Sequence, residues 1–290
     1  MTYCQFVDTV EEKVKEEVRE ELMVSVYTAR KNNGVMRTGL MIRDEEINIS
    51  PAIYLEEYYE KFRDGDSMEE IIGDILRVYD RVKFRESWNY KYPREYEEVR
   101  GRIVFRLINR NANREFLKDV PYVPYLDLAI VFYVLVEVNI YGMASMPVEN
   151  GHMENWRITL KELYDHAKEN TPRLLPADFQ TVQAALEEMM YKRESEKKDF
   201  MYVLSNRIRS FGAAAMLYKE QLANIGRLLR GNYYVIPSSV HEVLIIAESE
   251  VPCKELLDDM IQEINEEYIE QEEILSGHAY YYDCITGKIK

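Results

Sequence analysis

Two short stretches hold residue types that do chemistry at a useful spacing. The first is Asn206-Arg207-Ile208-Arg209-Ser210-Phe211-Gly212-Ala213-Ala214-Ala215. It places two arginines and a glycine between a strand-forming segment and a helix-forming one. Backbone amides at a helix start, together with the positive end of its dipole, hold anions, and Arg207 or Arg209 would close over one. Gly212 has no side chain to obstruct close approach. The competing explanation is packing, because a glycine followed by three alanines lets a helix lie close to its neighbours. The second stretch is Ser238-Ser239-Val240-His241-Glu242. A serine nucleophile needs a base within hydrogen-bond reach and a third group to orient that base. Ser239 and His241 share a face if the strand is regular, but adjacency alone does not assemble a triad. A turn at Pro237 with His241 at the strand edge explains the same residues. Arg207, Arg209, Gly212, Ser239 and His241 are therefore candidate ligand-binding residues, and none is assigned as catalytic.

Other chemistries lack their residues. The four histidines (152, 166, 241, 278) and three cysteines (4, 253, 284) contain no CxxC, HxxxH or HExxH pair, so no metal is expected. No GxGxxG or GxxxxGK[ST] loop occurs, and no cofactor is expected. Asp64-Gly65-Asp66 departs from a calcium loop and reads as the end of one helix and the cap of the next. Cys284 beside Asp283 has no basic neighbour except Lys288 to lower its pKa. An odd number of widely separated cysteines suits a reducing compartment. The first 21 residues carry no signal-peptide pattern. The most apolar stretch, Leu126 to Val136, is too short to span a bilayer. The expected location is the cytoplasm, with no membrane association.

Charge is unevenly distributed. With 37 basic and 52 acidic residues the chain carries a net −15, which opposes general affinity for nucleic acid. Residues 250–273 hold 10 acidic and 1 basic group, whereas residues 81–118 hold 11 basic and 5 acidic. The acidic run suits either a solvated helix face or docking onto a basic protein partner. Trp88, Tyr90, Tyr92 and Tyr96 interleave with the basic run, a pattern that would suit single strands but for the overall charge. Tyrosine is abundant, at 23 residues. Clusters such as Tyr58-Tyr59, Tyr233-Tyr234 and Tyr280-Tyr281-Tyr282 fit half-buried sheet faces or a protein interface.

These residues must be held by an α+β fold. Phe6, Val10, Val14, Val18 and Leu22 recur every four residues and predict one amphipathic helix over 2–30. A short strand at 39–42 follows, then helices over 52–63 and 67–83, the second opened by a Ser67/Glu70 capping box. Strands are predicted at 103–109, 128–136 and 143–148, and a helix at 160–168 that stops before Pro172. A helix over 177–191 leads into the charged linker 192–199. Beyond it come a strand at 200–204, a helix over 213–230, strands at 233–236 and 242–247, a helix over 252–268 and a strand at 280–283. Val104-Phe105-Arg106-Leu107-Ile108-Asn109-Arg110 echoes Met201-Tyr202-Val203-Leu204-Ser205-Asn206-Arg207, and Lys161 to Asp165 echoes Lys254 to Asp258. The expected organisation is a mainly helical N-terminal subdomain (1–99) followed by two similar β-(α)-β-β-α lobes, 100–191 and 200–290, arising by internal duplication.

Four separated segments resemble an uncharacterised clostridial and Firmicute family of unknown function. They are Asn48 to Leu55 followed by Tyr58-Tyr59, Leu126 to Tyr133, Glu169 to Arg173, and Pro237 to Val243. The resemblance covers nearly the whole chain and implies an intracellular bacterial α+β protein. It brings no activity, cofactor or catalytic residue. The leading functional expectation is a non-enzymatic protein that binds another macromolecule through the acidic helix 250–273 or a tyrosine-rich surface. The alternatives are a small-anion or nucleotide binder, or hydrolase-type enzyme, with a cleft between the lobes, and a phage-defence or mobile-element accessory.

Overall fold

The computed structural model describes residues 1–47, 50–83, 95–139, 142–190, 200–237, 239–251 and 253–290. The turn at Asn48-Ile49, the aromatics Trp88, Tyr90 and Tyr92, the linker 192–199 and Ser238 lie outside the described residues. The chain divides into two compact units, Met1–Pro93 and Arg94–Lys290.

In the first unit, α1 (Tyr3–Glu17) buries Phe6, Val7, Val10 and Val14 along one stripe, as four-residue spacing requires. Thr2 and Gln5 close its first turn reciprocally. The helix does not run on to residue 30. Val18 is extended, and Leu22–Arg30 forms β1, paired antiparallel with β2 (Met36–Asp44). Val24, Val26, Tyr27 and Thr28 are β-branched or aromatic, and a partner strand satisfies their preference better than an isolated helix would. The turn between the strands uses left-handed Asn33 and Gly34. The segment expected as a helix over 52–63 opens as a third strand, β3 (Ala52–Tyr54), before α2 (Glu56–Asp64). Ser67 and Glu70 form the expected capping box of α3 (Met68–Val82). Leu40, Ile42, Ile53, Leu55, Ile71 and Ile75 join the stripe of α1 in one core.

The second unit runs α4 (Tyr96–Val99), β4 (Ile103–Asn109), β5 (Tyr122–Tyr125), β6 (Leu128–Asn139), β7 (Gly142–Pro147), α5 (Asn150–Trp156), α6 (Leu160–Leu174), β8 (Ala177–Thr181), α7 (Val182–Met190), β9 (Met201–Asn206), α8 (Gln221–Leu229), β10 (Tyr233–Ile236), β11 (Val243–Ala247), α9 (Lys254–Glu267), β12 (Tyr280–Asp283) and β13 (Lys288–Ile289). In one sheet β6 pairs antiparallel with β4 along one edge and with β5 and β7 along the other. The other sheet has the order β13-β12-β10-β11-β9-β8, antiparallel throughout. Both sheets contain a first-third-second order of consecutive strands, β4-β6-β5 and β9-β11-β10. Helices and antiparallel sheets together make the fold α+β.

Three local readings change. The helix expected over 177–191 begins as β8, whose five residues pair with β9. Pro172 lies inside α6 rather than ending it. There the Thr171 hydroxyl bonds the Ala167 carbonyl and accepts the Phe105 amide, and the Asn170 amide bonds the Arg100 and Ile103 carbonyls. These bonds to the start of β4 hold the last turn despite the missing proline N–H. The helix expected over 213–230 divides into a 3-10 turn, Gly212–Leu217, and α8, because Tyr218 is extended and Glu220 is left-handed.

Burial of tyrosine has a consequence at high pH. Burial foremost, then Tyr164 and Tyr282 nearby, pushes the Tyr125 phenol up to about 12. Burial, reinforced by Glu162, does the same for Tyr96. In the unfolded chain such groups ionise near 10. The folded state therefore binds protons that the unfolded state releases between these values. The associated stability is intact below about pH 10 and lost as pH rises toward 12. Ultraviolet titration is expected to show these phenols ionising near pH 12 in the folded protein and near 10 in the urea-unfolded chain.

Candidate functional site

Strand β9 ends at Asn206, whose side chain builds the loop that follows. Its Oδ1 accepts the Ile208 and Ser210 amides, and its Nδ2 donates to the Ser210 carbonyl. Arg209 and Phe211 both take left-handed backbone conformations, a cost that persists only where the surroundings hold it. The two arginines separate. Arg207 is exposed and its amide bonds the Pro176 carbonyl, while Arg209 pairs with Asp178 at 3.7 Å. Gly212 is buried, and a Cβ there would lie 2.1 Å from Ser205 Oγ and 2.6 Å from both the Asn206 nitrogen and the His241 oxygen. The space in front of this glycine is thus filled by the protein's own backbone and Ser205.

His241 joins this loop to the segment before β11. Its Nδ1 accepts the Phe211 amide at 3.2 Å, and its Nε2 stands 3.3 Å from Glu273 Oε1. An amide on Nδ1 assigns the neutral ring's proton to Nε2, facing the carboxylate. Ser239 Oγ accepts the His241 backbone amide at 3.0 Å, and the Ser205 hydroxyl donates to the His241 carbonyl at 2.7 Å. Ser239 thus meets the backbone of His241 and not its ring. With both ring nitrogens engaged, His241 acts here as a clasp between Phe211 and Glu273, an arrangement that leaves no ring nitrogen to take a proton from Ser239.

The same loop covers a residue that the sequence pattern does not single out. Arg106 sits in the middle of β4, 5% exposed, with buried residues on both sides. Its guanidinium lies 4.0 Å from the Tyr133 ring centroid and 3.9 Å from that of Phe211. Nη2 donates to Ser145 Oγ at 2.5 Å and the Tyr133 side chain is a further hydrogen-bond partner of the guanidinium, while Nε is buried without a hydrogen-bond partner among the described residues. Burial lowers its pKa to about 10, with Tyr133 opposing the shift, so the group is cationic at neutral pH. An interior charge costs several kcal/mol unless it is paired. Two desolvated ring contacts, at about 2 kcal/mol each, offset much of this cost, but no carboxylate pairs with Arg106 among the described residues. Chemically, the site is a fixed cation with a vacant donor, roofed by a phenylalanine on a strained loop. The signal in the sequence was one arginine inside the apolar run Ile103 to Ile108.

A second polar centre stands where β5 turns into β6. Leu126 is left-handed there, and the Asp127 carboxylate accepts the Tyr280 hydroxyl and, at 2.9 Å, that of Ser276. His278 Nε2 lies 3.7 Å away. Burial, reinforced by this carboxylate, raises the Tyr280 pKa. Asp127, His278 and Tyr280 line an open cleft of about 460 Å³ with Lys254 and Lys290. We expect Asp127→Ala to lower the unfolding free energy by about 3 kcal/mol, because it strands a buried phenol and a serine hydroxyl at once. Tyr280→Phe should lose about 1 kcal/mol. Urea denaturation of the two single variants and the double variant checks this, and fully additive losses would contradict the shared bond.

Among the described residues no helix is long and apolar enough to cross a membrane. Comparison with family models matches residues 3–284 to one described as a family of unknown function (DUF5688). No curated protein and no solved structure matches the chain.

Proposed function

The chain belongs to the family of unknown function DUF5688, and from its geometry we propose a non-enzymatic binding protein whose receptor group is Arg106 and whose ligand is a small monoanion of the carboxylate type. The observation that carries this reading is the buried guanidinium whose Nε has no hydrogen-bond partner, and which pairs with no carboxylate, among the described residues. One uncompensated charge calls for one negative charge, and a guanidinium edge matches the two oxygens of a carboxylate. Phe211 covers the cation, so entry requires its loop to move. The left-handed conformations at Arg209 and Phe211 place stored strain beside that movement. The test is thermal unfolding of the full chain with formate, acetate and propionate. The midpoint should rise with anion concentration, by an amount worth about 2.7 kcal/mol at a hundredfold excess over the dissociation constant. The rise should persist in Arg209→Ala and vanish in Arg106→Met. Equal responses in all three proteins would remove Arg106 from the account.

A macromolecular partner is a second reading, favoured by α9. This helix buries Leu257, Ile261 and Asn265 and exposes Glu255, Asp259, Glu263 and Glu266 beside Leu256 and Tyr268. An acidic face with exposed apolar groups suits a basic, amphipathic segment. Binding of a labelled lysine-rich amphipathic peptide, lost in Glu263→Lys/Glu266→Lys, tests it.

A further inference from the structure

Immediately after β4 the chain coils, and the coil gathers the residues of a cationic cleft. Asn109 Oδ1 accepts the Ala112 amide, and the Asn113 side chain donates to the Asn109 carbonyl. The Leu117 amide then bonds the Asn113 carbonyl four residues back. These turns, followed by the short 3-10 stretch Phe116–Lys118, bring Arg110, Arg114 and Lys118 to one side. These three line a cleft of about 390 Å³ with Asn111, Leu117 and Tyr122. That volume is in the range of small-ligand sites.

None of the six lining residues is acidic. Lys118 is paired with Glu115 at 2.6 Å. Arg114 donates to the neutral Asn111 at 3.0 Å. The Arg110 side chain makes no hydrogen bond or ion pair among the described residues. Neither arginine is ion-paired with a carboxylate among the described residues, in a chain of net −15. At separations within a Debye length of about 8 Å, local charges outweigh the distant field. Two adjacent guanidinium forks match a dianion carrying several acceptor oxygens. A phosphomonoester has that charge, about −1.5 to −2 at neutral pH, with three acceptor oxygens. Leu117 and Tyr122 offer apolar and aromatic wall for the organic part.

We propose that the cleft formed by Arg110, Arg114, Lys118 and Tyr122 binds a small phosphomonoester, the phosphoryl group on the two arginines and the organic body against Leu117 and Tyr122. The site and its ligand differ from those at Arg106, and the experiment separates them. The full chain is titrated calorimetrically with adenosine 5′-monophosphate, inorganic phosphate and a short oligothymidylate at low salt. Proteins compared are the wild type, Arg110→Gln, Arg114→Ala and Arg106→Met, each first shown to melt as a folded protein. Arg110 and Arg114 lie toward the surface, where substitution leaves folding nearly unchanged. The monophosphate should bind tighter than inorganic phosphate. Loss of either arginine should weaken it about tenfold, the scale of one charge-assisted bond. Binding should be unchanged in Arg106→Met and weaken below about pH 6, where the phosphomonoester loses its second charge. Three results would each overturn the assignment: no binding to the wild type, affinity insensitive to both Arg110→Gln and Arg114→Ala, or oligothymidylate bound tighter than the monophosphate.

Discussion

Gly212→Ala should be among the most damaging single substitutions in the second unit, lowering stability by about 3 kcal/mol or more. The added Cβ would lie 2.1 Å from Ser205 Oγ and 2.6 Å from the Asn206 nitrogen and the His241 oxygen. A flexible side chain could turn away from such a clash. Here two of the three atoms are backbone, and each belongs to a hydrogen-bonded segment. Asn206 ends β9 and anchors the loop, and the His241 carbonyl accepts the Ser205 hydroxyl. Relief requires moving the loop away from the clasp at His241, which uncovers Arg106 as well. Gly231→Ala is the matched control, since nothing lies within 4 Å of a Cβ there, and it should change stability by less than about 0.5 kcal/mol. Thermal melts should therefore separate the two variants by roughly 10 °C. Equal midpoints would mean that the loop is looser than these contacts imply.

The second large effect has the opposite sign. Arg106→Met should stabilise the anion-free protein, by about 1 to 3 kcal/mol, because a hydrophobe of similar length removes a buried cation without leaving a cavity. It retains packing against Tyr133 and Phe211 but gives up the hydrogen bonds to Ser145 and to the Tyr133 side chain. Arg106→Ala should destabilise instead, because the two rings lose the surface they pack against. A residue that weakens the fold and is kept for binding produces this trade. Urea unfolding of the three proteins in chloride-only buffer checks the order Met above Arg above Ala. A Met variant less stable than wild type would mark the guanidinium as a structural group fully satisfied by its two rings.

Much of the framework was legible because it rests on local rules. The four-residue stripe of α1, the capping box at Ser67 and Glu70, and strands at Tyr233–Ile236 and Tyr280–Asp283 all follow from periodicity and side-chain chemistry. The misses are tertiary. Leu22 continues the apolar spacing of α1, yet β1 forms because β2 supplies a partner for each of its residues. Pro172 stays helical because buried Asn170 and Thr171 are bonded to the start of β4. The loop after β9, with Gly212 and the arginines, stands out in the sequence, but what fills the space at Gly212 depends on His241, some thirty residues later. Arg106 was hidden for a different reason. One charged residue in an apolar run does not disturb a strand pattern, and only packing shows that its charge lies between two rings with an unpartnered Nε.

Arginine side-chain magnetic resonance observes the Arg106 Nε directly. In ¹⁵N-labelled protein, Arg106 Nε–H should give a signal protected from solvent exchange, absent in Arg106→Met. Titration with acetate should shift that signal saturably, while exposed arginines such as Arg207 stay in place. An Arg106 signal that stays fixed while the surface arginines shift would contradict the account.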